Sequence, residues 1–137
     1  MEGKPTSVRI ILRASVSPSE ERSKVLVAAK NVFGDCQYRE EISEDEILLS
    51  SESMRCLQKL HDQLRDRRVR DAARRLLLRG RMEDRLTLML NRQAAFAGTV
   101  VLCGSEDESP LGPIFLVMDS GEADQLVEWL TAHQDSG

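Results

Sequence analysis

Residues 65–92 read RDRRVRDAARRLLLRGRMEDRLTLMLNR, and the apolar period changes partway through this stretch. In the first half Val69, Ala72, Ala73, Leu76 and Leu77 recur at helical spacing. At about 100° per residue they form one apolar stripe. Gly80 is a stop signal for that helix. In the second half Leu86, Leu88 and Leu90 alternate, which is the two-residue period of a half-buried strand. The polar turn Asn91-Arg92-Gln93 follows. A one-sided helix running straight into a one-sided strand predicts a sheet with helices packed on one face.

Working outward, Val8, Ile10, Leu12, Ala14 and Val16 alternate with Arg9, Arg13 and Ser15, which reads as a first strand. Ser17-Pro18-Ser19-Glu20 fits the S-x-x-E start of a helix with proline at its first position. Val25, Ala28, Ala29 and Val32 give that helix its inward stripe, and Gly34 ends it. Two short strands are expected near 36–42 and 46–50, joined by Ser43-Glu44-Asp45. A second helix is expected from about Ser53, with Leu57, Leu60, His61 and Leu64 on one face. Its stripe is rotated roughly 140° from that of the arginine-rich helix, so the two cannot be one straight rod. A break is therefore expected near Asp66–Arg68. Thr99–Cys103 and Ile114–Met118 read as buried strands. Ala123, Leu126, Val127 and Leu130 mark a last helix with Trp129 at its flank. The expectation is a single α+β domain over residues 1–137, ordered β-α-β-β-α-α-β-β-β-α, largely antiparallel, with 1–5 and 134–137 frayed. The predicted core holds Val8, Ile10, Leu12, Val25, Ala29, Leu76, Leu88, Leu90, Leu126 and Leu130.

With 137 residues and 41% hydrophobic content the chain can bury a real core. No apolar run approaches the roughly 20 residues that span a bilayer, and MEGKPTSVRI lacks the apolar core of a secretory signal. A cytoplasmic protein with no membrane partner is the expectation. Cys36, Cys56 and Cys103 are odd in number and lack a C-x-x-C pair. Three reduced thiols are expected, with no disulfide, no metal and no cofactor. His61 and His133 are too few and isolated for a metal site.

Charge is polarised. Residues 55–92 carry 12 basic and 5 acidic residues, a balance of +7 in a chain of net charge −4. With Val69 placed at 0°, Arg67, Arg70, Arg74 and Arg81 fall on one flank of the apolar stripe, at about 100–160°. Arg68, Arg75 and Arg79 fall on the other, at about 240–280°. Guanidinium groups suit bidentate phosphate contacts and base stacking. The competing explanation is a solvated helix face, with arginines paired to the acidic stretches Glu40–Glu46 or Glu106–Glu108.

ARRLLLRG at 73–80, LNRQAAFAG at 90–98 and SPLGPI at 109–114 occur in this order, together with Lys24-Val25 and Asn31-Val32-Phe33 in the first helix. On these strings the chain resembles an uncharacterised archaeal family, number 0201 in the uncharacterised-protein-family series. The resemblance covers nearly the whole chain. Members usually carry Asn-Lys-Gln where this chain has Asn91-Arg92-Gln93, and the loop Gly104–Ser109 is unusually polar here. The resemblance implies a fold like that of the large-subunit ribosomal protein that binds 5S rRNA. It brings no catalytic residue with it.

Asn91, Arg92 and Gln93 could read bases or hold a phosphate, or could serve as a turn whose amides satisfy the local backbone. Ala94, Ala95 and Phe96 read as packing residues. Ser109-Pro110-Leu111-Gly112-Pro113 reads as structural turn chemistry, with Gly112 at positive φ. His61 reads as a core-edge histidine. No nucleophile–base constellation is visible, and nothing argues for an enzyme. The leading function is non-catalytic association with structured or ribosomal RNA, through Arg67, Arg70, Arg74, Arg75, Arg79, Arg81, Asn91, Arg92 and Gln93. The alternatives are a protein-interaction module or homo-oligomer using acidic–basic complementarity, and an enzyme of unknown chemistry.

Overall fold

The computed structural model describes residues 4–132, and of Arg67 only the backbone. Most of the expected frayed ends, and His133, lie outside the described residues. Within them, Pro5 is buried and the Lys4 carbonyl accepts from Gln125 Nε2 at 3.4 Å.

The chain runs β1 (Arg9–Ser15), α1 (Arg22–Phe33), β2 (Arg39–Ile42), β3 (Glu46–Ser51), a 3-10 turn at Met54–Leu57, α2 (Gln58–Gln63) and α3 (Arg67–Arg79). It continues through β4 (Arg85–Leu90), α4 (Arg92–Phe96), β5 (Leu102–Cys103), a 3-10 turn at Glu106–Glu108, β6 (Ile114–Asp119) and α5 (Ala123–Thr131). The strands make one antiparallel sheet in the order β2-β3-β1-β6-β4-β5. Leu12 lies opposite Leu49 on one side and Leu116 on the other. Residues opposite each other share a face, so Ile10, Leu12, Leu49, Leu88, Leu116 and Met118 build one continuous apolar surface, all buried. The helices cover this face. The α+β expectation holds, with one added element: the turn at 91–93 opens the short helix α4.

The two breaks in the helical region have local causes. Asp66 takes extended backbone angles and its carboxylate accepts the Arg68 N–H at 2.8 Å, so it caps α3. The chain therefore breaks at the predicted place, between Gln63 and Arg67, and the mark is an N-cap aspartate rather than a Gly or Pro. At the first helix, Glu20 reaches back to the Ser17 N–H at 2.9 Å, as a capping box does. The residues between them form a turn, and α1 itself starts only at Arg22. Gly34 ends α1 at φ +73°, a backbone angle that a side chain would resist.

Four further expectations need correction. Cys36 and Cys56 form a disulfide, with Cα atoms 5.4 Å apart, and only Cys103 is free. The β2–β3 hairpin brings the two ends together: Arg39 pairs with Ser50, and each cysteine lies a few residues outside that pair. Closing a 20-residue loop stabilises by about 3 kcal/mol in the chain-entropy account. Of the predicted core, Leu76 is only half-buried; Leu77 and Ala73 occupy the centre of the α3 contact. The run 99–103 forms a strand only at its last two residues, and Val101 is exposed. Phe96 is 46% exposed, so of the Ala94–Phe96 group only Ala95 is fully packed.

Candidate nucleic-acid interface

Helix α3 is the most basic element of the chain, and its orientation decides which arginines can meet a ligand. Its buried arc is centred on Ala73, Leu77 and Arg70, with Val69 and Leu76 at the margin. Relative to the stripe centred on Val69, the helix is rolled by roughly 60° toward one arginine flank. The cause is α5, which packs against α3 on that side and supplies acceptors. Arg74 Nη2 pairs with Glu128 Oε2 at 2.6 Å, and Arg74 Nη1 donates to Thr131 Oγ1 at 3.3 Å. Arg81 pairs with Asp124 and donates through Nε to the Glu83 carbonyl at 2.7 Å. Arg70 is drawn under the surface, where Nη1 donates to the Arg65 carbonyl. The acidic stretches expected to neutralise the arginines do not; α5 does.

The flank of Arg67, Arg70, Arg74 and Arg81 is thus a seam between two helices. Arg74 and Arg81 are paired and Arg70 is buried, while the Arg67 side chain lies outside the described residues. The opposite arc is open. Arg68, Asp71, Arg75, Leu78 and Arg79 are exposed. Arg79 Nη2 donates to the Gly104 carbonyl at 3.2 Å. Arg68 and Arg75 enter no ion pair among the described residues.

The Asn91-Arg92-Gln93 candidate divides. Asn91 Oδ1 accepts the Ala94 N–H at 2.8 Å and so caps α4. Arg92 is 5% exposed and fully engaged within the protein. Its Nη1 meets both Glu20 oxygens at 2.8 and 2.9 Å and the Ser15 carbonyl at 2.6 Å. Its Nε donates to the Gly112 carbonyl at 3.1 Å, and its backbone N–H to Ser109 Oγ at 3.0 Å. Arg92 is withdrawn from any phosphate-facing surface; Gln93 alone of the three is exposed. The Ser109–Pro113 turn closes on Arg92, with Gly112 at φ +94° as expected of a structural turn. Asn31 of α1 donates to the Ala95 and Phe96 carbonyls at 2.9 and 3.2 Å.

A third cluster lies where α2, α3 and α5 meet. His61 stacks on Trp129, ring centres 4.4 Å apart and planes 17° from parallel. Asp62 accepts from Gln58 Nε2 at 2.9 Å and lies 3.3 Å from His61 Nδ1. The Gln58 bond chiefly holds the Asp62 carboxyl below its ordinary range; burial opposes it, and His61 and Arg65 add to the lowering. Elsewhere, burial and then Glu108 push the free Cys103 thiol up, away from the reactive thiolate. Among the described residues no helix is long and apolar enough to cross a membrane.

A family model described as RNA binding matches residues 9–119. The chain is 41% identical over 131 residues to a UPF0201 protein of Sulfolobus acidocaldarius, covering 94% of this chain and 90% of that one. It is 38% identical over 130 residues to a UPF0201 protein of Metallosphaera sedula, covering 94% and 91%. Among solved structures, the crystal structure of a UPF0201 protein from Methanococcus jannaschii superposes with a TM-score of 0.75 at 26% identity, covering 93% of this chain and 95% of that one.

Proposed function

The chain belongs to the UPF0201 family, and we propose that it is a non-catalytic RNA-associated protein that meets RNA phosphates with the open arc of α3. The residues that carry the contact are Arg68, Arg75 and Arg79, with Gln93 the exposed polar group of α4, the short helix that follows β4. The single observation behind this assignment is the asymmetry of α3. On one flank Arg74 and Arg81 are paired to α5, and the other flank stands in solvent with no carboxylate partner among the described residues. An unneutralised basic row attracts phosphate. It also matches the RNA-binding description of the family model, whose residues 9–119 include all of α3. Structured or ribosomal RNA is the target class that the fold analogy suggests.

The test is salt-dependent binding to a structured RNA. Each phosphate contact contributes about 0.7–0.9 to the slope of log K against log salt. Replacing Arg68 and Arg75 by Gln keeps helix propensity and should flatten the slope by about one to two units, weakening all sequences alike. Arg74→Gln, on the paired flank, should leave the slope unchanged. Equal slopes for the wild type and the double variant would refute the assignment. Self-association lost at high salt, with no RNA bound, would favour the oligomer alternative.

A further inference from the structure

We propose that the pocket between α2, α3 and α5 is a binding site for a phosphate monoester, with Arg70 as its anchoring cation. The proposal stands on this pocket's own geometry and not on the RNA contact assigned to the other side of α3. The cavity measures ≈470 Å³ and is bounded by His61, Asp62, Arg65 and Arg70, with Leu64 and Leu130 as apolar walls. That lies toward the small end of ligand pockets. It suits a phosphate group carrying a small organic remainder.

Arg70 is the reason for assigning an anion. The residue is 9% exposed, and its Nε is cut off from water. Only Nη1 has a partner, the Arg65 carbonyl. Nε is buried with no hydrogen bond, and no carboxylate lies within ion-pair range among the described residues. A buried charge is costly unless it is paired and its hydrogen-bond donors are satisfied. A phosphate supplies both a counter-charge and several acceptors, and arginine is the side chain that best matches it. The rest of the lining fits the same ligand. Arg65 is exposed at the rim and adds a second cation. His61 also lines the cavity, and its Nδ1 is occupied by Asp62. Asp62 is the one opposing charge on the lining. It is tied to Gln58 and His61 and its side chain is 48% exposed, so water screens it.

Trp129 is the chain's one tryptophan and stacks on His61, so its fluorescence reports on the cavity. The full chain is titrated with inorganic phosphate at constant ionic strength, with chloride as the balancing anion. A saturable change in Trp129 emission, matched by a rise in melting temperature, is the expected result. Arg65→Gln, at an exposed position, should weaken phosphate binding about tenfold while leaving the fold intact. Arg70→Met should abolish the response. Arg75→Gln, on the opposite arc of α3, should leave it unchanged. A 5′-phosphorylated dinucleotide is compared with its unphosphorylated form. Tighter binding than inorganic phosphate would identify a strand end as the source; equal binding would identify free phosphate. An emission change that is linear, or the same in Arg65→Gln and wild type, would overturn the site. Because the RNA slope is read on Arg68 and Arg75 and this response on Arg65 and Arg70, either assignment can fail alone.

Discussion

Arg92 and Arg70 are both arginines taken out of water, and their surroundings answer that burial in opposite ways. Around Arg92 the chain converges from three directions. Glu20 supplies the counter-charge, while Ser15 and Gly112 supply carbonyls to the guanidinium. Around Arg70 one carbonyl is all that the described residues offer. A buried ion pair with its donors satisfied is a structural joint, because nothing is left over for a ligand. A buried cation with donors left over is an incomplete structure, and a ligand can complete it. Basic residues that look alike in sequence thus separate by what their neighbours leave unfinished.

The Arg92 joint is where the comparison can be broken hardest. Arg92→Met should cost about 3–5 kcal/mol, because it leaves the Glu20 carboxylate buried with the Ser17 N–H as its remaining donor. Urea unfolding measures this as a lower midpoint at unchanged slope. Glu20→Met in the same chain should recover much of the loss, since removing both charges removes the unpaired one. If Arg92→Met alone is nearly neutral, the joint is not holding α4 to the β1–α1 corner, and Arg92 returns as a candidate for ligand contact.

The next effect tests the roll of α3, which decides which arginines face the seam. Leu77→Ala should cost about 2–5 kcal/mol, the range for a fully buried leucine, and Leu76→Ala distinctly less. The reverse order would restore the stripe centred on Val69. It would also put Arg70 and Arg74 back on an open flank, so the distinction between the two regions would lose its basis.

The strands were readable because period two is unambiguous in β1, β4 and β6, where every second residue is buried. The phase of α3 was not. Leu76, Leu77 and Leu78 run consecutively, so the sequence offers three neighbouring centres for the stripe, and tertiary packing against α5 chose one. The partners of Arg74 and Arg81 sit more than forty residues away on α5, beyond any local pattern. The Cys36–Cys56 bond was missed for a related reason: an odd cysteine count says nothing about which two thiols a hairpin brings together. Arg92 could have been suspected. The strings LNRQAAFAG, SPLGPI and the Asn31-Val32-Phe33 segment all meet around α4, through Arg92 and Asn31. The strings that carried the family resemblance therefore record how α4 is packed, whereas ARRLLLRG lies on the helix that holds the candidate interface.

The smallest effect is the most discriminating. Arg70→Met removes a buried cation whose Nε has no partner, and puts an unbranched apolar side chain of good helix propensity in its place. The loss is one hydrogen bond to the Arg65 carbonyl, worth about 1 kcal/mol. The gain is relief from burying an uncompensated guanidinium, which in other buried charges replaced by apolar residues is neutral or stabilising. The two nearly offset, so the urea midpoint should move by less than about 1 kcal/mol equivalent in phosphate-free buffer. In saturating phosphate the wild type gains stability by ligand linkage and the variant does not. The gap between them should therefore open as phosphate is added, whereas the gap between wild type and Arg92→Met should stay fixed. If Arg70→Met instead destabilises as much as Arg92→Met in the absence of any anion, Arg70 is satisfied by the protein itself. The two buried arginines would then be the same kind of joint.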